Sequence, residues 1–179
     1  PWETLANKSI KTAFISLNPG KAPDGADLKV ISDERGNSYE VEEFTTASPL
    51  TAQFLQLCKF LKIKPSNMLT GPACPFRGNR WKDFTPQQKQ EGFRLGNEFW
   101  SKALDGIELI IILGDEAKKS INEIVKADLE LEIQSGWGNT KLKRFKNVDG
   151  VKLIQLPHLS TFKLFSRNKY KFPLKQIFS

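Results

Sequence analysis

The residues of this 179-residue chain that could carry chemistry sit where apolar runs end abruptly. Asn18 closes the run Thr12-Ala13-Phe14-Ile15-Ser16-Leu17 and is followed by Pro19-Gly20. Proline lacks a backbone donor and glycine permits a sharp turn, so the strand must stop there. A polar amide is thereby set at the carboxyl end of a buried strand, where open α/β sheets bind ligands. His158, the only histidine, follows the run Val151–Leu156 and Pro157, which places it at a rim rather than on a core face. Ser160 and Asp115 also lie near strand ends, so Ser-His-Asp catalysis is open in principle, but no Gly-x-Ser-x-Gly elbow supports it. Neither a dinucleotide fingerprint nor a P-loop sequence is present, and no His, Cys and carboxylate residues have metal-ligand spacing.

The elements that must hold these residues are legible from periodicity. Thr12–Leu17, Met68-Leu69-Thr70, Ile107–Leu113 and Val151–Leu156 read as strands, the third being the strongest buried-strand signal. Ser48-Pro49 and Thr85-Pro86 read as helix starts, each with proline at the first helical position. Leu50, Phe54, Leu57, Phe60 and Leu61 follow the first at helical spacing. Phe93, Leu95, Phe99, Trp100 and Leu104 follow the second. Gly114-Asp115-Glu116 opens a third helix, its acidic residues suiting the positive end of the helix dipole. Residues 129–134 and 141–148 read as a peripheral hairpin around Gly136-Trp137-Gly138-Asn139, and residues 21–43 as a long polar loop holding a short hairpin at 28–41. Strands alternating with helices predict an α/β fold: a single domain over 1–179, a three-layer sandwich around a mostly parallel four-stranded sheet.

Composition narrows the partners. The net charge is +7 with a pI near 9.4, which favours a polyanion. No apolar run is long enough to span a bilayer, and the first residues lack a secretory pattern. Cys58 and Cys74 make neither a Cys-x-x-Cys pair nor a disulfide framework, as expected of a reduced, intracellular (cytoplasmic) protein.

Taken in order, the motifs resemble those of the uracil-DNA glycosylase superfamily. Ser16-Leu17-Asn18-Pro19-Gly20 is similar to the family's first motif, and Leu156-Pro157-His158-Leu159-Ser160 to its second. Leu69-Thr70-Gly71-Pro72-Ala73-Cys74-Pro75-Phe76-Arg77-Gly78-Asn79-Arg80 resembles the Asn-Arg segment of the iron–sulfur branch, and Ile110–Ala117 that branch's next strand and turn. Ser16 stands where the family has glycine. Cys74 matches one cluster ligand but has no partners, so no cluster or other cofactor is expected. Gly71 or Pro72 occupies the place of the asparagine that reads uracil's edge in much of the family.

The resemblance implies a uracil-DNA glycosylase-like fold and a monofunctional DNA glycosylase, acting as a monomer on DNA and not on membranes. It would hydrolyse the N-glycosidic bond of a flipped-out, non-standard base and leave an abasic site. Asn18 would orient the attacking water and His158 would act on the leaving base, with Asp24 or Asp27 as second-ranked water activators. Pro19, Gly20, Phe44 and Gly71 would surround the base, Phe44 by stacking. Asn79, Arg80 and Ser160 would contact DNA, and Lys163, Arg167, Lys169 and Lys171 its phosphates. Leu159, Phe162 and Phe165 would fill the gap left by the flipped base, unless Phe162 and Phe165 form the core face of a terminal helix. The absent amide and the long loop after Gly20 point to a damaged or bulky modified base instead of uracil. The competing readings are a non-catalytic nucleic-acid-binding module on the same fold, and a hydrolase of free nucleosides or nucleotides.

Overall fold

Apolar runs broken by Pro or Gly form the centre of the sheet in the computed structural model, which describes residues 10–20, Tyr39 and 48–179. β1 (Thr12–Ser16), β2 (Met68–Pro72), β3 (Leu109–Leu113) and β6 (Lys152–Leu156) are mutually parallel. β4 (Asp128–Gln134) and β5 (Lys141–Lys146) form an antiparallel hairpin whose second strand pairs with β6. The order is β2-β1-β3-β6-β5-β4. The expected four-stranded sheet is therefore six-stranded and mixed, because the hairpin at 128–146 extends the sheet rather than standing apart from it. β2 runs on through Gly71 and Pro72, and as an edge strand it tolerates a proline that donates nothing outward.

Alternation along the strands feeds two cores. Ala13, Ile15, Ile110 and Ile112 pack on one face with Trp100 and Ala103 of α2 (Pro86–Ala103) and Ala117 and Ile121 of α3 (Asp115–Val125). Phe14, Ile111, Leu113 and Ile154 pack on the other face with Phe54 and Leu57 of α1 (Pro49–Leu61) and Leu174 and Ile177 of α4 (Lys171–Phe178). Helices thus cover both faces, giving three layers.

The predicted helix starts are present. The Ser48 side chain accepts from the Thr51 N–H, and Thr85 forms a reciprocal capping box with Gln88. α2 lies unusually close to the segment after β2. A side chain on Gly96 would collide with the Ala73 carbonyl, and one on Gly92 with the Cys74 sulfur. Burial raises the Cys74 thiol pKa and keeps the group neutral. No helix among the described residues is long and apolar enough to cross a membrane.

Of the predicted long loop, only Tyr39 is described. Its backbone is helical rather than extended, and its ring stacks on Phe54 at 4.4 Å and meets Phe14 edge-on. Phe44, Asp24 and Asp27 lie outside the described residues.

Candidate active site at the strand-end rim

Because β1, β2, β3 and β6 are parallel, their carboxyl ends share one rim, which carries Asn18, the segment after Pro72, Gly114 and His158. The chain leaves β3 for α3 on one face, whereas the next described helix after β1 is α1 on the other. Adjacent strands whose connections diverge in this way open a crevice between them. Asn18 stands beside it. His158 follows β6, two strand spacings from β1, about 10 Å between strand axes.

Asn18 is held by the loop after β2. That loop continues the parallel pairing past the strand ends: Ala73 N–H donates to Ser16 O at 2.7 Å, Cys74 N–H to Leu17 O at 2.8 Å, and Gly78 N–H to Pro19 O at 3.2 Å. The half-buried Asn18 amide donates from Nδ2 to Pro19 O at 2.9 Å and to Gly78 O at 3.3 Å. Both acceptors are carbonyl oxygens, so only the NH2 end of the amide can face them. Oδ1 is consequently turned away, and among the described residues it accepts no hydrogen bond. The arrangement is an acceptor of fixed direction at the crevice. Gly78, whose carbonyl fixes it, packs against the Phe84 ring where a side chain would collide. Arg77 reaches the carbonyl of the exposed Gly20 at 3.4 Å, and Pro19 is half-buried.

His158 opens a tight turn in which Thr161 and Phe162 N–H both donate to its carbonyl at 3.0 Å. Its Nδ1 shares a hydrogen bond of 2.7 Å with Ser160 Oγ. The residue is exposed to solvent, yet partial desolvation of its ring lowers its pKa below the ordinary imidazole value. The neutral ring then dominates at pH 7. No carboxylate of the described residues supports it. Asp115 is engaged instead by the buried Gln155, whose Nε2 donates to it at 2.7 Å. A Ser-His-Asp relay through Asp115 is therefore not assembled.

The other expected residues divide. Asn79 and Arg80 are exposed beside the Asn18 loop, with Arg80 in a two-pronged ion pair with Asp83 at 3.1 Å. Lys163 and Arg167 are exposed. Leu159 is fully buried in the α1/α4 core, so it is not the wedge that its loop position suggested. Phe162 and Phe165 are half-buried in the segment before α4, Phe165 within a short 3-10 turn (Leu164–Ser166), and neither lies on the terminal α-helix; Phe162 meets Trp137 edge-on and Phe165 meets Phe60. Gly71 is also corrected. The space that its side chain would fill is taken by Trp100, 3.0 Å away, whose Nε1 donates to Pro72 O. A small residue there serves core packing and does not widen a pocket.

Three contributors escaped sequence reasoning. Gly78 acts through its backbone, which no residue type announces. Gln53 of α1 is 2% exposed; it donates to Ser166 Oγ and accepts from Phe165 N–H at 2.9 Å, pinning the loop that follows His158. The β4–β5 turn reaches the functional rim, since β5 runs antiparallel to β6 with Lys143 opposite Gln155. An aromatic between two glycines, Gly136-Trp137-Gly138, was its available signal. Comparison of the chain with protein-family models finds no match, and no curated protein matches it significantly.

Proposed function

We propose that this chain is a monofunctional DNA glycosylase that hydrolyses the N-glycosidic bond of a base turned out of the DNA stack, as its motifs' resemblance to the uracil-DNA glycosylase superfamily implies. The observation that carries the reading is the Asn18 amide, anchored through Nδ2 with Oδ1 directed away at the sheet's switch point. An acceptor held in that manner orients a water for attack at the anomeric carbon. Bond cleavage passes through an oxocarbenium-like sugar while negative charge grows on the departing base. A neutral His158 with Ser160 donating to Nδ1 presents Nε2–H toward that charge. The basic, acid-free end of the chain supplies phosphate contacts.

The substrate proposed is a modified or damaged base instead of uracil. With Gly71 serving Trp100, this rests on the missing side-chain amide alone: a site without a fixed donor–acceptor pair cannot demand uracil's edge. The test is single-turnover excision from oligonucleotides carrying uracil or a panel of modified bases, modified cytosines included, at one salt concentration and with alkaline cleavage of abasic sites. Strand cleavage at a modified base faster than at uracil supports the proposal, and uracil winning by about tenfold or more returns the chain to uracil removal. Binding without cleavage of any base would favour a non-catalytic module.

A further inference from the structure

From β6 onward the chain is chemically one-sided. Residues 150–179 contain five lysines, one arginine and no Asp or Glu, and so carry six of the chain's seven net positive charges. Within it Arg167 differs from the other described arginines. Arg77, Arg80, Arg94 and Arg144 each donate to a carbonyl or carboxylate of the protein. Arg167 meets no protein acceptor among the described residues. Its guanidinium lies over the Trp137 ring, 5.3 Å from the centroid. An arginine held by an aromatic face keeps its N–H edge free for a planar or tetrahedral anion.

The support beneath it is built. Trp137 stacks on the buried Tyr170 at 5.3 Å with 21° between the rings, and Phe162 closes its edge at 5.8 Å. Lys169 Nζ lies 4.8 Å from the Tyr170 ring. The turn that holds Trp137 is fixed by Trp137 N–H donating to the Ser135 hydroxyl at 3.0 Å and Ser135 N–H donating to Thr140 O at 2.8 Å. Gly136 and Gly138 both have positive φ there, and the Gly136 backbone lies close to Tyr170. Phe162 in turn donates its N–H to the His158 carbonyl, which ties the stack to the candidate site.

We propose that the β4–β5 turn is a second wall of the nucleic-acid site, in which Trp137 is a positioning residue that holds Arg167 for one backbone phosphodiester beside His158. This rests on the DNA-directed reading above and names a contact within it. Arg167 makes the contact, and Trp137 acts only through it.

The experiment measures duplex binding against salt for the full chain, alongside excision by the wild type. Arg167→Gln and Trp137→Ala are each expected to reduce the slope of log affinity on log salt by about one unit. The double variant is expected to match either single one, and Trp137→Phe to keep most of the slope. Trp137→Ala removes a partly buried ring, so its folding is checked by circular dichroism; the exposed Arg167→Gln and the ring-preserving Trp137→Phe carry the test if it misfolds. An unchanged slope in Arg167→Gln overturns the phosphate contact. A folded Trp137→Ala with wild-type slope, or additive losses in the double variant, overturns the positioning role while leaving glycosylase activity standing. Loss of competition by plain duplex with retained competition by inorganic phosphate would mark a free-anion site and overturn the proposal. Wild-type protein that neither binds nor cleaves DNA would remove the underlying reading and this inference together.

Discussion

Replacing Asn18 with alanine separates the anchoring that its amide provides from the water-orienting role proposed for it. The Nδ2 end contributes two hydrogen bonds, at 2.9 Å and 3.3 Å, that tie the first rim loop to the second. Each is worth about 1 kcal/mol net, the longer one less, so anchoring accounts for about 1–2 kcal/mol. In a domain of this size that lowers Tm by only a few degrees, roughly 2–4 °C per kcal/mol, and leaves the protein folded at 25 °C. Were anchoring the whole contribution, the rate would fall by no more than roughly tenfold to thirtyfold. Orientation of the attacking water adds a loss of about 10²–10⁴, which is about 3–5 kcal/mol at the transition state. Ground-state DNA affinity is expected to stay near wild type, because a water held for attack matters little before bond cleavage begins. The assay is single-turnover abasic-site formation with enzyme in excess, paired with a melting curve and an equilibrium titration of uncleaved duplex. Asn18→Asp keeps an acceptor but loses both donors and faces two carbonyls with a carboxylate, so its rate is expected between wild type and alanine. An alanine variant that retains most of the activity, or loses it only in step with DNA affinity, refutes the assignment of Oδ1.

Further outcomes follow from the same geometry. The folded-state pKa of His158 is lowered, so the unfolded chain binds its proton first as pH falls. The contribution of His158 to stability is therefore complete above about pH 6.5 and declines as pH drops from there through its lowered folded value. If the neutral ring is the donor, kcat/KM is level at neutral pH and falls on the acid side with an apparent pKa below about 6.5, and His158→Gln removes that limb; a rate that rises on acidification contradicts the neutral-donor role. Ser160→Ala is expected to lower kcat with little change in duplex affinity, because it releases the tautomer that Nδ1 holds; an unchanged kcat would show that the bond is only a local turn contact. Gly96→Ala inverts the usual helix rule: alanine normally gains up to about 1 kcal/mol over glycine, but here its methyl meets the Ala73 backbone. A loss of about 3 kcal/mol in urea unfolding is expected, and a more stable variant would contradict the close packing of α2 on the rim loop.

What the chain alone determined is local. The ends of β1 and β6, the caps at Ser48 and Thr85, and the acidic start of α3 were all legible, because proline, glycine and hydroxyl side chains act on the backbone within a few residues. The parallel centre of the sheet was legible too, since continuous apolar runs suit strands buried on both faces. The union of the hairpin with that sheet was not: the register of β5 on β6 is a long-range pairing, and β4 presents the alternating, charged pattern of an edge. Burial of Leu159 and occupation of the Gly71 space by Trp100 also had no local signal, because both depend on side chains distant in sequence that share the core. The direction of the Asn18 amide was decided by tertiary structure as well. Residue type supplied an amide that could face either way, and two carbonyls, one of them sixty residues distant, left its oxygen only one direction.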